Sequence, residues 1–287
     1  MIQTIAITGA TGQLGRLAVA ALKSRAPGAT LVALVRDPAK ASDLGIEVRA
    51  FDYTQAAALP AALQGVDVLV LISSNDFNDR AGQHANVIAA AKAAGVGRII
   101  YTSLLKGDRS PMILAQDHIA TEAALVASGL PATVLRNGWY TENYTGALGG
   151  ALQAGAVVGV NVDARVSPAT RADFAEAIAV VAADPSHAGQ VYELAGDESF
   201  TMTEFAAELS RQVGKTVPYA PMSQAEYAAL LVRLGLPEGF AEVLADSDAR
   251  AGEGALFDDS RTLSRLIGRP TTPLSVVIKE ALSALGG

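Results

Sequence analysis

Three glycines at regular spacing, Gly9, Gly12 and Gly15, follow a short apolar segment near the start of the chain. The segment predicts a strand over residues 2–8, and a helix is predicted over residues 13–25. Glycine lets backbone approach a ligand without a Cβ in the way, and a helix N-terminus offers unpaired N–H groups to an anion. The turn therefore predicts a site for a dinucleotide pyrophosphate, although an ordinary strand–helix turn is the alternative. Its candidate contacts are Gly9, Ala10, Thr11, Gly12, Gln13, Leu14 and Gly15.

A basic residue ends the second apolar strand, predicted over residues 30–36. In NAD-binding folds an acidic residue about twenty positions past the glycines binds the ribose hydroxyls. This chain has Val35 and Arg36 there, and a guanidinium can make a bidentate contact with a 2′-phosphate. Lys40 is close enough in sequence to add positive charge. The pattern favours NADP over NAD, with a solvated surface arginine as the alternative.

Further polar side chains follow the third to the sixth predicted strands. Ligands of open α/β sheets bind at the carboxyl ends of the strands. A carboxylate after the third strand could accept the adenine amino group, and the small polar residues after the fourth could face a ribose. Each cluster alone is equally well explained by loop or cap chemistry, but six at one sheet edge favour a binding site. These further candidates for cofactor contact are Asp52, Ser73, Ser74, Asn75 and Thr102.

The segment from Asn137 to Tyr144 contains the only tryptophan of the chain, directly after the sixth predicted strand. Trp139 and Tyr140 offer planar aromatic surface beside amide and hydroxyl groups, a combination that suits a planar ligand. A packed aromatic corner is the alternative.

The elements that must position these residues alternate along the first half of the chain. Strands are predicted over 2–8, 30–36, 46–51, 67–73, 97–103 and 132–137, and helices over 13–25, 38–43, 55–64, 80–94 and 115–128. The strands are continuous apolar runs, as expected for a parallel sheet covered on both faces. The fold class is therefore α/β, a doubly wound parallel Rossmann-type sheet.

The regular alternation of predicted strands and helices ends after about residue 145. Helices are predicted over 171–183, 203–213, 223–235 and 260–267, with a strand near 190–195. We expect an NADP-binding domain over 1–150 and a smaller α-rich substrate region over 151–287 that closes over the cofactor. Residues from about 165 to 195 are expected to pack back on the first domain.

Composition excludes several other classes of function. The 287 residues contain no cysteine, which removes thiol catalysis, disulfides and thiolate metal sites. Three scattered histidines do not predict a zinc site, and a net charge of −7 without a basic stripe argues against nucleic acid. No apolar run approaches the roughly 20 residues of a membrane span, and no signal peptide is expected. A cytoplasmic protein is expected.

Several of these motifs together resemble those of a known family. They lie at residues 8–15, 35–40, 101–105, 135–140, 169–173, 192–196 and 256–260, so the resemblance spans nearly the whole chain. The chain is similar to the atypical short-chain dehydrogenase/reductases related to the nitrogen metabolite repressor NmrA, and among them to bacterial NADPH-dependent quinone reductases. The resemblance implies NADPH in the glycine turn with Arg36 on its 2′-phosphate, and it leaves a homodimer open. It also implies quinone or nicotinamide contacts from Ser73, Ser74, Asn75, Asn137, Gly138, Trp139, Tyr140, Thr141, Glu142 and Thr170.

The catalytic tyrosine and lysine that short-chain dehydrogenases usually carry are missing. Ser103 can fill the serine position, but aligning the helix places Leu114 at the tyrosine and His118 at the lysine. The proton donor for alcohol or ketone chemistry is therefore absent. A quinone accepts hydride readily and its reduced form can take a proton from water, so quinone reduction tolerates the loss. His118 and Ser103 remain candidates for an accessory role, with a buried structural histidine as the alternative for His118.

Two functions from different classes fit the sequence. The first is an NADPH-dependent quinone reductase, in which the protein positions two planar rings and excludes water. The second is a catalytically silent NADP(H)-binding redox sensor of the NmrA type. The aromatic and polar residues at the strand ends favour the enzyme. A sugar-nucleotide epimerase is a weaker third choice because the tyrosine is absent.

Overall fold

The computed structural model describes residues 3–76 and 78–286, and the chain forms two compact units. Unit 1 comprises the chain up to Gly107 together with Asp117–Asn137 and Arg171–Tyr192. Unit 2 comprises Asp108–Gln116, Gly138–Thr170 and the chain from Glu193 onward. Neither unit is a continuous stretch of sequence.

A seven-stranded sheet carries the candidate residues of the first half of the chain. Nine strands occur within the described residues, and all but β7 and β9 belong to this sheet. They are β1 (Thr4–Thr8), β2 (Thr30–Val35), β3 (Glu47–Ala50), β4 (Val68–Leu71), β5 (Arg98–Leu104), β6 (Ala132–Asn137), β7 (Val157–Gly159), β8 (Val191–Leu194) and β9 (Tyr219–Pro221). The sheet has the order β3-β2-β1-β4-β5-β6-β8, and the pairs from β3 through β6 are parallel. This confirms the predicted doubly wound parallel sheet.

The order of the strands reverses between β1 and β4. The chain builds β2 and β3 on one side of β1, and then β4, β5 and β6 on the other. The connection after β1 and the connection after β4 therefore lead to opposite sides of the sheet. This separation opens a crevice at the carboxyl ends of β1 and β4. All residues of β4 and β5 are buried, as expected for central strands of a sheet covered on both faces.

Twelve helices occur within the described residues. They are α1 (Gln13–Arg25), α2 (Leu59–Ala62), α3 (Arg80–Ala94), α4 (Ala115–Ser128), α5 (Thr141–Thr145), α6 (Leu148–Ala154), α7 (Arg171–Ala183), α8 (Met202–Val213), α9 (Gln224–Arg233), α10 (Glu238–Ala251), α11 (Thr262–Ile267) and α12 (Leu274–Leu285). The segment Pro38–Leu44 is a 3₁₀ helix. In unit 1, α1 packs against α7.

The predicted helix over 55–64 is wrong in length, because only Leu59–Ala62 is helical. Pro60 cannot donate a backbone hydrogen bond, so it fits the first turn of a helix and not its middle. A short turn between β3 and β4 takes its place.

Unit 2 is rich in helices. Its strands β7 and β9 form a separate parallel pair, in which Val157 lies opposite Tyr219. Thr201 caps α8 and Ser223 caps α9, each reciprocally with the glutamate three residues on. Within the described ranges, none of the helices is long and apolar enough to cross a membrane.

Candidate active site

The glycine turn joins β1 to α1 in a geometry that only glycine allows at two positions. Gly9 has a φ of 59°, and its carbonyl accepts the Gly12 N–H at 2.9 Å. A Cβ on Gly15 would overlap the Gly9 carbonyl oxygen and would lie 2.8 Å from the Ala10 Cα. The first turn of α1 therefore packs directly against the backbone of Gly9 and Ala10.

The N-terminus of α1 is arranged to receive an anion. Its first intrahelical hydrogen bond runs from Arg16 N–H to Gly12 C=O, so the N–H groups of the preceding turn of the helix have no helical partner. Gly12 and Gln13 are exposed, and no acidic residue lies in the first turn. These groups and the positive end of the helix dipole suit a pyrophosphate.

Arg36 stands exposed directly after β2, next to the turn in the strand order. It makes no hydrogen bond or ion pair with any residue in the described part of the chain. Hydrogen bonds from Thr54 hold the pKa of the Asp52 carboxyl below its usual value, and the charge of Arg36 adds to this shift. The guanidinium is therefore free to meet a phosphate while lying within electrostatic reach of Asp52.

Arg16 ties the glycine turn to the segment after β2, a role that the sequence did not reveal. Its guanidinium donates to the Thr11 carbonyl at 3.3 Å and to the Lys40 carbonyl at 3.0 Å, and it pairs with Asp43 at 2.6 Å. The Lys40 side chain is exposed. Arg16 thus fixes the backbone that carries Lys40 relative to the turn.

The loop after β4 is held by side chains in place of a neighbouring strand. The N–H of Ile72 donates to Thr8 Oγ1 at 3.0 Å, and the N–H of Ser73 donates to Thr102 Oγ1 at 2.9 Å. The Tyr53 hydroxyl donates to the Ile72 carbonyl at 3.1 Å. Backbone groups shielded from water need such partners, and these three bonds anchor the first two residues after β4 ends at Leu71.

Two of the predicted contact residues have their hydroxyls engaged within unit 1. Thr102 is buried and accepts the Ser73 N–H, while the Ser74 hydroxyl donates to Gln83 Oε1 at 3.1 Å. The Ser73 hydroxyl and the Asn75 amide form no hydrogen bond with the described residues. Ser73 and Asn75 are therefore the polar side chains that this loop offers to a ligand.

Ser103 belongs to a buried ionic cluster. Its hydroxyl donates to Glu122 Oε1 at 2.6 Å, and Arg136 pairs with Glu122 through two further bonds of 3.0 and 2.6 Å. The side chains of Glu122 and Arg136 are each only 16% exposed. The cluster joins β5, α4 and β6, and it occupies the hydroxyl that would otherwise be available for chemistry.

His118 lies in the core of unit 1 with 5% of its surface exposed. Its Nδ1 is 2.7 Å from the Tyr101 hydroxyl, and Tyr101 itself is fully buried. Burial lowers the pKa of His118 to about 3, and the nearby Arg80 and His84 add to the shift. The ring is therefore neutral at neutral pH and packed away from solvent.

Asn137 ends β6 with a side-chain amide that is buried and unpaired. The residue is 4% exposed, and neither Oδ1 nor Nδ2 has a hydrogen-bond partner among the described residues. Leaving a buried polar group without a partner costs about 1–3 kcal/mol. An amide can donate and accept at once, so a ligand with a carbonyl or carboxamide group would satisfy it.

The remaining candidates lie in unit 2. Ala169 accepts the Thr141 N–H at 2.9 Å and donates to the Trp139 carbonyl at 3.2 Å, which places residues 139–141 beside the segment that ends in Thr170. Gly138 donates to the Leu194 carbonyl at 2.7 Å. Trp139, Tyr140 and Glu142 are partly exposed, whereas Thr141 and Thr170 are buried. These backbone hydrogen bonds thus bring residues 139–141 and the segment ending in Thr170 together within unit 2.

No group of three potential metal-ligating side chains occurs among residues 3–76 and 78–286.

Comparison with known proteins gives consistent matches along nearly the whole chain. A sequence model of the NmrA-like family matches residues 1–284. Quinone oxidoreductase 2 of Escherichia coli is 54% identical over 274 residues, which cover 94% of this chain and 96% of that protein.

Solved structures of similar proteins also match nearly the whole chain. The E. coli NADPH-dependent quinone oxidoreductase QOR2 in complex with NADPH superposes with a TM-score of 0.94 at 53% identity, covering 97% of this chain and 99% of that one. The triphenylmethane reductase of Citrobacter sp. in complex with NADP(H) gives a TM-score of 0.91 at 38% identity, covering 96% and 99%.

Proposed function

The chain belongs to the NmrA-like family, and on that premise we propose that it is an NADPH-dependent oxidoreductase that transfers hydride to quinones. The single structural observation that carries the proposal is the unpaired Asn137 amide at the carboxyl end of β6. A buried amide of this kind fits the carbonyl of a quinone or the carboxamide of a nicotinamide.

Cofactor binding falls to the residues around the end of β1. NADPH supplies the hydride when it is bound. The N–H groups at the start of α1 would hold its pyrophosphate, and Arg36, with Lys40 nearby, would hold its 2′-phosphate. Asp52 is proposed to accept the adenine amino group through its ionised carboxylate, whose lowered pKa keeps it charged.

Acceptor binding is assigned to small polar and aromatic groups. Within unit 1, Ser73 and Asn75 supply hydrogen-bonding groups, and Asn137 can donate to a quinone oxygen as negative charge develops there. In unit 2, Trp139 and Tyr140 offer planar surface, and Gly138, Thr141, Glu142 and Thr170 remain proposed contacts.

The state of the two accessory candidates, Ser103 and His118, favours a quinone as the acceptor. The Ser103 hydroxyl is engaged by Glu122, and His118 is neutral and bonded to Tyr101. A ketone needs a proton as hydride arrives, because an alkoxide is a poor product. A reduced quinone spreads its charge over the ring and takes its proton from water, so positioning is the main task of the protein.

The proposal is tested by following NADPH oxidation at 340 nm with 1,4-benzoquinone, a naphthoquinone and a simple ketone. We expect turnover with the quinones and little with the ketone. Asn137→Ala should lower kcat/KM for quinones by about 10-fold or more, since one oriented hydrogen bond to developing charge is lost.

The alternative, a silent redox sensor, makes a distinct prediction in the same assay. A sensor would bind NADPH with micromolar or tighter affinity and oxidise none of it with any quinone. That result would overturn the enzyme assignment.

Two further expectations, on cellular location and on oligomeric state, belong to the proposal. We propose that the protein works in the cytoplasm, where NADPH is available, and that it can form a homodimer. Fractionation of cells and sedimentation of the purified protein would test these points separately from activity.

A further inference from the structure

Three side chains from one turn of helix α3 form hydrogen bonds with the backbone and hydroxyl of Ser74, in the loop after β4. His84 Nε2 accepts the Ser74 N–H at 2.9 Å, and Arg80 Nε donates to the Ser74 carbonyl at 2.6 Å. Gln83 Oε1 accepts from the Ser74 hydroxyl. Positions 80, 83 and 84 lie on one helix face, so three side chains converge on a single residue.

The hydrogen bonds fix the tautomer of His84. The Thr121 hydroxyl donates to the Asp117 carbonyl at 2.7 Å, so its oxygen accepts from His84 Nδ1–H at 2.9 Å. A backbone N–H can only donate, which requires Nε2 to carry the lone pair that receives Ser74. The ring is therefore neutral, with its proton on Nδ1.

The surroundings keep this ring neutral. His84 is fully buried between the edges of Tyr53 and Tyr101, with ring centroids 6.2 and 5.5 Å away. Arg80 lies on the same helix, and the buried His118 lies on α4. Burial lowers the pKa of His84 to about 3, and the charge of Arg80 adds to the shift. Nε2 thus remains an acceptor throughout the neutral range.

Helix α4 has an unusual use in this arrangement. In short-chain dehydrogenases this helix carries the tyrosine and lysine of catalysis, which this chain lacks. Here its Asp117 carbonyl and Thr121 hydroxyl begin a chain of hydrogen bonds that passes through His84 to the Ser74 N–H. The helix therefore supports the loop that offers Ser73 and Asn75 to a ligand.

We propose, on the basis of the proposed function, that His84 is a positioning residue for hydride transfer to the quinone. It fixes Ser74, and thereby sets the places of the Ser73 hydroxyl and the Asn75 amide. Small displacements of positioning groups can cost about 100-fold in rate when the reaction depends on orientation. The effect should fall on kcat more than on cofactor affinity, because the glycine turn and Arg36 bind the phosphates independently.

The test compares three variants of the full-length protein. His84→Phe removes the acceptor while keeping an aromatic ring, and His84→Gln restores an acceptor near the Nε2 position. Val87→Ala is the matched control, because Val87 is fully buried on the same helix and has no hydrogen-bonding side chain. It should create a cavity and lower stability without removing a hydrogen bond to the loop.

Five quantities decide the outcome: Tm, the Kd of NADPH, kcat and KM for 1,4-benzoquinone, and deuterium uptake by peptides over residues 72–75. His84→Phe should lower kcat about 10-fold or more, leave the Kd of NADPH within about threefold, and speed uptake in the loop. His84→Gln should recover most of kcat. Val87→Ala should lower Tm and leave kcat and loop uptake unchanged.

A purely structural role would overturn the proposal, and it would appear as unchanged kcat and loop uptake in His84→Phe. Should that variant fail to fold, Thr121→Val replaces it, since loss of the Thr121 oxygen frees the ring to adopt the other tautomer. It should change kcat and uptake in the same direction, by less. If the wild type reduces no quinone, the proposed function fails and the catalytic role with it, and loop uptake still shows whether His84 holds Ser74.

Discussion

At the scale of a single residue, we expect Arg36 to set the preference between NADPH and NADH. Its guanidinium is exposed after β2 and unpaired within the described chain, where NAD-binding folds carry an acid. A charge-assisted contact to the 2′-phosphate is worth about 1.5–3 kcal/mol, which is roughly 10- to 100-fold in affinity. Arg36→Ala should lose this preference for NADPH over NADH.

Titration of both cofactors against wild type and Arg36→Ala checks the prediction. Arg25→Ala, which removes an exposed arginine at the end of α1, is the control and should keep the preference. A variant at position 36 that still prefers NADPH would assign the 2′-phosphate to other residues.

His118 should be dispensable for chemistry. Its pKa is lowered to about 3, so it does not change charge near neutrality. The kcat/KM for quinones should therefore be flat between about pH 6 and 8, and His118→Gln should retain most of the turnover per folded molecule. A bell-shaped profile in the wild type that flattens in His118→Gln would identify the histidine as an acid.

Residue types along the sequence were sufficient to locate the glycine turn, Arg36 and the polar strand ends. They could not show which hydroxyls are already engaged. Ser103 is bonded to Glu122 and Thr102 to the Ser73 N–H, and both pairs form only when strands and helices distant in sequence come together. The role of His84 is not visible in the sequence for the same reason, because its partners Ser74 and Thr121 lie on two other elements.

At the scale of elements, the apolar runs predicted every strand of unit 1 and most of its helices, because a buried parallel sheet requires such runs. The helices α5, α6, α10 and α12 lie outside the ranges that the sequence predicts as helical. Two of them, α10 and α12, begin directly after a proline, Pro237 and Pro273. Proline fits a helix start as well as a loop, and local sequence alone does not separate the two. The strands β7 and β9 have three residues each, too few for a periodic signal.

The junction of β1 with α1 should not accept a methyl group. A Cβ at Gly15 would overlap the Gly9 carbonyl, and the obstacle is backbone that cannot swing aside. Gly15→Ala should therefore destabilise the fold by about 1–3 kcal/mol and weaken NADPH binding, since the helix start must move. Denaturant unfolding and cofactor titration measure both effects.

Gly28→Ala provides the matched control, because a Cβ there meets nothing within 4 Å. Its stability and cofactor affinity should stay close to wild type. Equal behaviour of the two variants would mean that the helix start adjusts freely.

At the scale of the whole molecule, two buried histidines should make stability depend on pH. Burial lowers the pKa of both His84 and His118 to about 3. Between about pH 6.5 and 3 the unfolded chain therefore binds protons that the folded chain does not. Stability should fall as the pH drops through this window, by up to about 1.4 kcal/mol per pH unit for each histidine.

Urea unfolding at pH 7 and pH 5 measures this loss. Carboxylates contribute as well, so the informative quantity is the difference between wild type and His118→Gln. The variant should lose less stability than the wild type on acidification. An equal loss would show that His118 is charged in the folded state.

The lack of cysteine should protect the protein from its own substrate. Quinones add to thiolates, which are the most reactive nucleophiles of ordinary side chains, and the sequence has none. Incubation with excess 1,4-benzoquinone should leave activity and mass nearly unchanged over the assay. Ser42→Cys, at an exposed position, should gain the mass of one quinone. Rapid arylation of the wild type would contradict this expectation.

The chain leaves unit 1 three times, after Gly107, Asn137 and Tyr192, and returns to it twice. A single genetic crossover between residues 108 and 192 therefore cannot transfer either unit intact, because every breakpoint there separates part of each unit from the rest of it. Descendants of such a gene inherit the two units as one package. Changes of cofactor or acceptor must then arise by substitution at individual codons, such as the one for Arg36, and not by shuffling of modules.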